Sequence, residues 1–454
     1  MPSYEGIESD LVKLFNSLEV EYLSRTRVSR SLFERARKVL PGGVTYYIRY
    51  LSPYPPYITG GKGTRVWDVD GNEYLDFWMG HGAHVLGHAP NFVIDSVCEL
   101  SRKGTHLGFE NPYAVEYAEL LTKVLPNVEM FKFCVSGTEA NMYAVRLARA
   151  YTKKPYIVKI EGGWHGGYDS LHTHVNLFGG PESAGLPEES IKYTLAIPFN
   201  DLEVAEEVLR RYPVAAILIE PVLGGGGCLA PADSYLNGLR QLTYQYGSLL
   251  IFDEVITGFR LALGGGQEFF NVKADLAVYG KVIGGGYPGA GGFGGVAEVM
   301  ELLDHLKYPD QKVRSYHGGT FVGSLVTAVA GYTLVKYLAE HRGIYESANS
   351  LWDEASRKFE GVCNEYGGLC HVTGAGTMRA VHFTKARPKN SREFRELRWS
   401  KFVEKVFNLY ARVNGILYMG EKFFHVYPSL IQEREEVNYL VNIFTNFMSN
   451  ILRS

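Results

Sequence analysis

The stretch that decides the fold is Val278-Tyr279-Gly280-Lys281-Val282-Ile283-Gly284-Gly285-Gly286. The apolar run at residues 276–279 is typical of a buried strand, and it leads into a lysine and a glycine-dense loop. A lysine at a strand end, in a dry site that lowers its pKa, can form a Schiff base. The glycines would let a flat ligand approach the backbone. The alternative is a surface lysine beside a flexible loop, and the rest of the chain decides between the two.

Composition sets the class of protein. The chain has 454 residues, 46% of them hydrophobic, which predicts two or three globular domains. A net charge of -3 gives no reason to expect a nucleic-acid or membrane partner. The N-terminus is acidic and lacks the apolar core of a secretory signal. Five cysteines without CxxC spacing argue against a zinc site or a disulfide framework, so we expect a cytoplasmic location.

From about residue 110 the chain alternates helices and strands, which predicts an α/β fold with a mainly parallel sheet. After the strand at 131–135, Ser136-Gly137-Thr138 would cap a long helix, whose free N–H groups suit a phosphate. Ordinary helix capping is the alternative. Residues 169–192 lack periodicity, as expected of a mobile loop over a site. Residues 394–414 are predicted to form one helix.

Other strand ends carry polar or aromatic residues. Trp164 and His165 lie among glycines after the strand at 156–160, where an aromatic ring could lie against a flat cofactor or plug the core. Glu220 and Asp253 end two further strands and face the crevice where α/β folds bind ligands. An aspartate there could pair with a ring nitrogen and keep it protonated, or it could form a structural ion pair.

Two patterns suggest other chemistry and are set aside. His81, His84 and His88 have no accompanying cysteine or carboxylate, so no metal site is predicted. The GxGxxG match at residues 284–289 contains Pro288 and opens no predicted helix, which a dinucleotide site would need.

The remaining features together describe a pyridoxal phosphate site. They are a helix start that can bind a phosphate, an aromatic ring that can stack on a flat cofactor, an acid that can pair with a ring nitrogen, and a lysine at a strand end.

The motifs that carry this pattern resemble those of class III aminotransferases: Ser136-Gly137-Thr138-Glu139-Ala140, Trp164-His165-Gly166, Glu220-Pro221-Val222, Asp253-Glu254-Val255, Gly280-Lys281-Val282 and Gly319-Thr320. Pro41-Gly42-Gly43-Val44-Thr45 with Arg49 is similar to the glutamate-1-semialdehyde 2,1-aminomutase group. The resemblance implies fold type I, with a large domain built on a mainly parallel seven-stranded sheet and a smaller α+β domain. We expect residues 1–75 to join the small domain, 76–330 to form the large domain, and 331–454 to form the C-terminal small domain.

The resemblance also implies residue roles. Lys281 would be the Schiff-base lysine and proton carrier, and Asp253 the partner of the pyridine nitrogen. Arg49 would hold a substrate carboxylate, and Thr320 would reach the cofactor phosphate of the other subunit in a homodimer with shared sites. The remaining implied cofactor residues are Ser136, Gly137, Thr138, Trp164, His165, Glu220 and Val255.

Two departures from the aminomutase pattern bear on the reaction. His81 and His425 stand where that enzyme has a tryptophan and a glutamate in its substrate pocket. Residues 79–88 are closer to D-phenylglycine aminotransferase. The sequence therefore favours an aminotransferase acting on an amino acid, with D- and aromatic amino acids as candidates, and a keto acid. An aminomutase forming 5-aminolevulinate and an amino-acid racemase remain alternatives.

Overall fold

The computed structural model describes residues 4–176 and 182–452. The chain forms two compact units: residues 1–90, 346–388 and 396–454 make the first, and residues 91–345 with 389–395 make the second. The predicted domain boundaries, after residues 75 and 330, lie 15 residues before the corresponding changes of unit, after residues 90 and 345. Part of the predicted mobile loop, residues 177–181, lies outside the described residues.

The strands of the described chain are short and are distributed over three sheets. In chain order they are β1 (Ile58–Lys62), β2 (Arg65–Asp68), β3 (Glu73–Asp76), β4 (Met130–Cys134), β5 (Tyr156–Ile160), β6 (Thr194–Ile197), β7 (Val214–Ile219), β8 (Leu249–Asp253), β9 (Leu276–Gly280), β10 (Gly291–Gly295), β11 (His371–Ala375), β12 (Met378–His382), β13 (Ile416–Leu417) and β14 (Phe424–Val426).

The helices range from single turns to more than twenty residues. They are α1 (Tyr4–Arg25), α2 (Arg27–Ala36), α3 (Met79–Gly82), α4 (Asn91–Ser101), α5 (Pro112–Val124), α6 (Gly137–Thr152), α7 (Glu188–Ile191), α8 (Leu202–Arg211), α9 (Tyr235–Gln245), α10 (Gly265–Phe269), α11 (Ala297–Met300), α12 (Leu325–Glu340), α13 (Gly343–Glu365), α14 (Ser391–Leu397), α15 (Val403–Val413) and α16 (Arg434–Leu452). None of these helices is both long and apolar enough to cross a membrane.

The second unit is built on a seven-stranded sheet with the order β4-β10-β9-β8-β7-β5-β6. Strands β9, β8, β7, β5 and β6 pair in parallel, and β10 runs antiparallel to both β4 and β9. The predicted mainly parallel sheet is confirmed. Strands β7, β8 and β9 are buried along their whole length. Parallel strands buried on both faces read as continuous apolar runs, which is the pattern that marks them in the sequence.

Strand β10 falls in the glycine-dense stretch that follows Lys281, and the prediction of a loop there is wrong for these residues. Four of its five residues are glycine, so neither an apolar run nor an alternating pattern marks it. The absence of side chains has a steric reason, since a Cβ on Gly291 would lie 2.3 Å from the carbonyl oxygen of Ser136. Glycine therefore lets β10 pass close to the residue that caps α6.

The first unit contains the four-stranded sheet β1-β2-β3-β13 and the three-stranded sheet β11-β12-β14. Its core packs α1, α13, α15 and α16 through aromatic side chains, including Trp352, Phe407 and Phe444. Strands β2 and β3 pair antiparallel as a hairpin. Its turn is held by Asp68, whose Oδ1 accepts the N–H groups of Asp70 (3.0 Å) and Asn72 (2.8 Å).

The single helix predicted over residues 394–414 is wrong, because the structure has α14 and α15 separated by residues 398–402. Ser400 holds the turn ahead of the second helix, since its Oγ accepts the N–H groups of Phe402 (3.0 Å) and Val403 (3.2 Å). Just before it, Trp399 Nε1 donates to the carbonyl oxygen of Leu369 at 2.7 Å. The Ser400 turn and the hydrogen bond to a distant carbonyl oxygen hold residues 399–402 out of the helix that periodicity alone would continue.

The expectation that the cysteines stay unpaired is wrong for Cys363 and Cys370, which form a disulfide across seven residues. Both are fully buried between the end of α13 and the start of β11. Their spacing lacks any pattern that marks a bridge, so only the fold brings them together. Since cytosolic thiols are normally kept reduced, the predicted cytoplasmic location stays a prediction.

Cutting this bridge is expected to destabilise the first unit. Closing so short a loop contributes about 2 kcal/mol by restricting the unfolded chain. Cys363→Ala should therefore lower the denaturation midpoint, and a reductant should lower that of the wild type but not of the variant. Cys98→Ala, which removes an exposed free thiol, is the matched control. Equal midpoints for the wild type with and without reductant would contradict the bridge.

Candidate active site

The N-terminus of α6 forms one wall of a cavity in the second unit. Ser136 is the N-cap residue, and its Oγ accepts the N–H of Glu139 at 3.2 Å. The Glu139 carboxylate accepts the N–H of Val135, the residue before the cap, at 3.1 Å and so adds a second bond across the start of the helix. The first N–H groups of the helix, at Gly137 and Thr138, have no carbonyl partner within the helix itself. This wall can therefore hold an anion such as a phosphate.

Gly166 lets a second segment approach this wall. Its φ is +89°, and a Cβ there would lie 2.1 Å from Thr138 Oγ1. A larger residue would both strain the backbone and displace Thr138. Glycine at 166 therefore fixes Trp164 and His165, which precede it, beside the start of α6.

Asp253 ends β8 and is buried, with three donors around its carboxylate. Its Oδ2 accepts from Asn141 Nδ2 at 2.8 Å and lies 2.7 Å from His165 Nδ1, while its Oδ1 accepts the N–H of Val255 at 3.0 Å. Hydrogen bonds with three donors hold the carboxylate in one orientation. The structure thus presents a fixed negative charge to the cavity.

His165 is fully buried beside Asp253, and burial lowers the pKa of its imidazole although the carboxylate opposes the shift. The ring is therefore neutral near pH 7, with Nδ1–H donating to Asp253. Its Nε2 has no hydrogen-bond partner among the described residues, and neither has Oδ1 of Asn141. Polar atoms left without partners at a buried site are typical of a place where a ligand completes the hydrogen bonding.

Lys281 follows β9 directly and has a positive φ of 50°. Burial lowers the pKa of its amine, while the charges of Asp253 and then Glu220 oppose the shift. A backbone strained at a non-glycine residue is commonly found at functional sites. The result is an amine aimed into the cavity that loses its proton more readily than a surface lysine.

Glu220 follows β7 and is buried. Burial, followed by the charge of Asp253, raises the pKa of its carboxyl. Its two oxygens accept the N–H groups of Trp164 and Gly224, each at 3.0 Å. Glu220 thus joins the Trp164 segment to the loop after β7.

These residues surround a cavity of about 270 Å³. Its lining residues are Val135, Ser136, Gly137, Thr138, Asn141, Trp164, His165, Gly166, Glu220, Asp253, Val255, Ile256, Lys281 and Ala290. The structure therefore brings together every predicted cofactor residue except Thr320, which lies at the surface near the exposed Phe321. Sequence reasoning missed Asn141, although its place one helical turn after Gly137 puts it on the same face of α6.

The first unit has a separate cavity of about 580 Å³, lined by Arg49, Trp78, His81 and the carboxylate of Asp76, among other residues. His81 is presented by α3, whose four residues all have positive φ, between 49° and 81°. Asp76 holds this left-handed turn, because its Oδ1 accepts the N–H groups of Trp78 and Met79. Asp76 Oδ2 lies 2.7 Å from Nε2 of His88.

His425 is buried behind this cavity, edge-on to Trp78 with 4.8 Å between ring centroids. Burial lowers the pKa of its imidazole to about 4, so the ring is neutral at pH 7. Arg49 is exposed, and its Nη1 donates to Thr45 Oγ1 at 2.9 Å. Arg49 and His81 thus share one cavity, whereas His425 supports the tryptophan that lines it. No motif in the sequence marks Trp78.

Comparison with known proteins agrees with the motifs. Residues 49–448 match the model of the class-III aminotransferase family. The chain belongs to this family. A glutamate-1-semialdehyde 2,1-aminomutase of Archaeoglobus fulgidus is 37% identical over 91% of this chain and 97% of its own length.

Two solved structures are similar along almost the whole chain. A β-phenylalanine aminotransferase from Variovorax paradoxus is 28% identical, with a TM-score of 0.85, and 98% of this chain and 97% of that chain are covered. A transaminase with pyridoxal phosphate bound is 31% identical, with a TM-score of 0.83, covering 94% of this chain and 98% of that one. Pyridoxal phosphate is the cofactor of this enzyme.

The cavity of the second unit fits that cofactor. Its features are a helix N-terminus for a phosphate, an ionised Asp253 for a ring nitrogen, and an amine at Lys281 for an aldehyde. The unpartnered Nε2 of His165 and Oδ1 of Asn141 supply further polar contacts at a buried position. The donors and acceptors therefore match the groups that the cofactor carries.

Proposed function

We propose that this class III enzyme is an aminotransferase that moves an amino group between a keto acid and an amino acid with an apolar or aromatic side chain, D-amino acids included. The observation that carries the proposal is the arrangement at the ends of neighbouring strands β8 and β9. There, the carboxylate of Asp253 and the amine of Lys281 line one cavity with the start of α6.

The residues of the second unit hold the cofactor in this proposal. When bound, pyridoxal phosphate supplies an aldehyde and a ring that stabilises negative charge on the substrate's α-carbon. Gly137 and Thr138 bind the phosphate, Asp253 keeps a proton on the ring nitrogen, and Lys281 makes the covalent link. The other contacts come from Ser136, Trp164 and Val255 on the cofactor, and from His165 and Glu220, which hold Asp253 and Trp164 in place.

Lys281 also moves the proton. Burial lowers the pKa of its amine, so Nζ gives up its own proton more readily than a surface lysine does and can then take one from the substrate's α-carbon. The same Nζ can return that proton to a different atom. Where the proton is returned separates transamination from racemisation, and it depends on how the substrate is held.

The cavity of the first unit supports the substrate class. It offers Arg49 for a carboxylate and Trp78 and His81 for an aromatic or apolar side chain. The carboxylate that lines it, Asp76, already accepts from Trp78, Met79 and His88. His425, uncharged at pH 7, stands in place of the aminomutase glutamate and cannot attract an ammonium group by charge. We therefore place the aminomutase reaction second.

Substitution of Arg49 tests the carboxylate assignment. Arg49→Gln should raise KM for the amino acid by about 10- to 100-fold, because a charge-assisted hydrogen bond contributes about 1.5–3 kcal/mol. KM for an amine without a carboxylate, such as benzylamine, should stay the same. Arg30→Gln, which removes an exposed arginine of α2 in the same unit, is the control. An equal rise of KM for both substrates would refute the assignment.

A panel of amino donors tests the reaction itself. Both enantiomers of phenylglycine, phenylalanine and alanine, β-phenylalanine and glutamate-1-semialdehyde are incubated with the enzyme and 2-oxoglutarate or pyruvate. Keto-acid formation from an aromatic donor supports the proposal. A high rate of 5-aminolevulinate formation from glutamate-1-semialdehyde would identify an aminomutase. The similarity to the aminomutase of Archaeoglobus fulgidus supports this alternative. Inversion of an enantiomer without keto acid would identify a racemase.

We also propose that the enzyme is a homodimer that covers an apolar patch of the second unit. The patch comprises Leu107, Phe109, Tyr316 and Phe321, all exposed, and the ring of His106 joins its two segments by lying 4.9 Å from that of Phe321. Thr320 lies in this patch and would reach the partner's cofactor phosphate. Phe321→Asp should give a monomer, as measured by light scattering. Titration with pyridoxal phosphate should show that this variant binds the cofactor more weakly. Tyr244→Asp, at another exposed aromatic, should stay dimeric.

A further inference from the structure

Lys159 is a second buried lysine of the second unit, and the proposed chemistry gives it no role. It lies on β5, and its side chain is fully buried. Its Nζ donates to three main-chain carbonyl oxygens, those of Gly163 (2.9 Å), Leu171 (3.0 Å) and Thr173 (2.8 Å). An ammonium has three N–H donors, so each of them is used.

The three acceptors mark the two ends of one segment, residues 163–173. Gly163 begins it, and Leu171 and Thr173 lie at its end. One main-chain hydrogen bond closes the same base, from the N–H of Gly162 to the carbonyl oxygen of His174 at 2.7 Å. Three bonds from a single charged group and one main-chain bond thus hold the ends of this segment together.

The segment carries part of the cofactor cavity. Trp164, His165 and Gly166 line that cavity. The ring of Trp164 packs edge-on against His172 near the far end of the segment, with 5.4 Å between centroids. His165 lies 2.7 Å from Asp253 through its Nδ1. A change in the spacing of the two ends would therefore move both the aromatic ring and the partner of Asp253.

We propose that Lys159 is a positioning residue for the cofactor: its ammonium holds both ends of residues 163–173 and so sets where Trp164 and His165 meet the cofactor. The proposal rests on the functions proposed above for Trp164 and His165. Lys159 does not touch the cofactor, and it acts through the carbonyl groups it binds.

The positive charge of Lys159, like its hydrogen bonds, helps to keep His165 paired with Asp253. Burial lowers the pKa of its amine, while Glu220 and other carboxylates oppose the shift. The three carbonyl acceptors favour the ammonium, because a neutral amine has only two N–H donors. Its positive charge adds to the burial that lowers the pKa of His165. The imidazole therefore stays neutral, which keeps its Nδ1–H as a donor to Asp253.

The test compares Lys159→Met with Lys154→Met in the holoenzyme. Lys154 also donates to two main-chain carbonyl oxygens, those of Tyr246 and Gly247, each at 2.7 Å, but these lie outside residues 163–173. Lys159→Met should bind pyridoxal phosphate at least about tenfold more weakly and lower kcat by about 100-fold, as a misplaced catalytic geometry does. The circular dichroism of the bound cofactor should change, and amides of residues 163–173 should exchange hydrogen faster. Lys154→Met should leave all four quantities unchanged.

Lys159→Gln provides a second variant, because its amide keeps two N–H donors. We expect its effects on cofactor affinity, kcat, dichroism and hydrogen exchange to be intermediate between those of the wild type and of Lys159→Met. If Lys159→Met does not fold, the result for Lys159→Gln decides whether the proposal holds. A folded Lys159 variant with lower thermal stability but wild-type cofactor affinity, dichroism and exchange would overturn the proposal and leave Lys159 a stabilising residue only. Trp164→Ala is measured alongside. If it leaves cofactor affinity and dichroism unchanged, the proposed function of Trp164 fails; if it changes them and the Lys159 variants do not, only the positioning role fails.

Discussion

Lys281→Ala is expected to lower the rate of amino transfer by at least about 10⁴-fold, the upper range for loss of a positioned acid–base group. The variant loses both the covalent link to the cofactor and the amine that carries the proton. Phosphate and ring contacts remain, so the cofactor should still bind without a covalent bond. Borohydride treatment followed by peptide mass spectrometry should fix the cofactor to the wild-type peptide that contains Lys281, and to no peptide of the variant.

Two other lysines serve as controls for this result. Lys154→Ala should retain activity, because Lys154 binds carbonyl oxygens of Tyr246 and Gly247, away from the cavity. Lys159 is the other buried lysine of this region, and its three donors are occupied. A borohydride-fixed cofactor on Lys159, or on any residue other than Lys281, would show that the assignment of Lys281 is wrong.

Asp253→Asn should lower kcat by about 10³-fold, because the negative charge that keeps the ring nitrogen protonated is lost. The amide can still accept hydrogen bonds, so the variant separates charge from packing. The measurement is kcat with pyridoxal phosphate and with its N-methyl analogue, whose ring nitrogen carries a permanent positive charge. The analogue should restore part of the rate in the variant and give little or no gain in the wild type.

The matched control for this substitution is Asp275→Asn. Asp275 precedes β9 at the opposite end of the sheet, where its Oδ2 accepts from Arg240 and from the N–H of Leu250, each at 2.7 Å. Its loss should lower stability and leave kcat within about twofold, because it does not line the cavity. If Asp253→Asn has a normal kcat with the natural cofactor, Asp253 is not the partner of the ring nitrogen.

The central sheet and the main part of the cavity could be predicted because both depend on local sequence. Strands β7, β8 and β9 are buried and mainly apolar; Asp253 is the last residue of β8, and Glu220 and Lys281 directly follow β7 and β9. In a parallel sheet the carboxyl ends of neighbouring strands lie at one edge. Spacing along the chain therefore predicted proximity in space for these three residues.

Features that depend on distant contacts could not be predicted. Strand β10 is recognisable only from its neighbours, since Gly291 must clear the carbonyl oxygen of Ser136. The break between α14 and α15 needs the carbonyl oxygen of Leu369, and the Cys363–Cys370 bridge needs the fold of the first unit. Trp78 lines a cavity because of a left-handed turn that hydrophobic patterns do not reveal.

The division of the chain into two units has a consequence for how such an enzyme diversifies. The residues proposed for the chemistry lie in the second unit, whereas Arg49, Trp78 and His81, proposed for the substrate, lie in the first. Mutations that accumulate in the lining of the first cavity can change which amine is accepted without altering Lys281, Asp253 or the cap of α6. A laboratory library confined to that lining would explore new substrates at low risk to cofactor binding, and the recombination of first units between relatives would exchange preference while conserving reactivity.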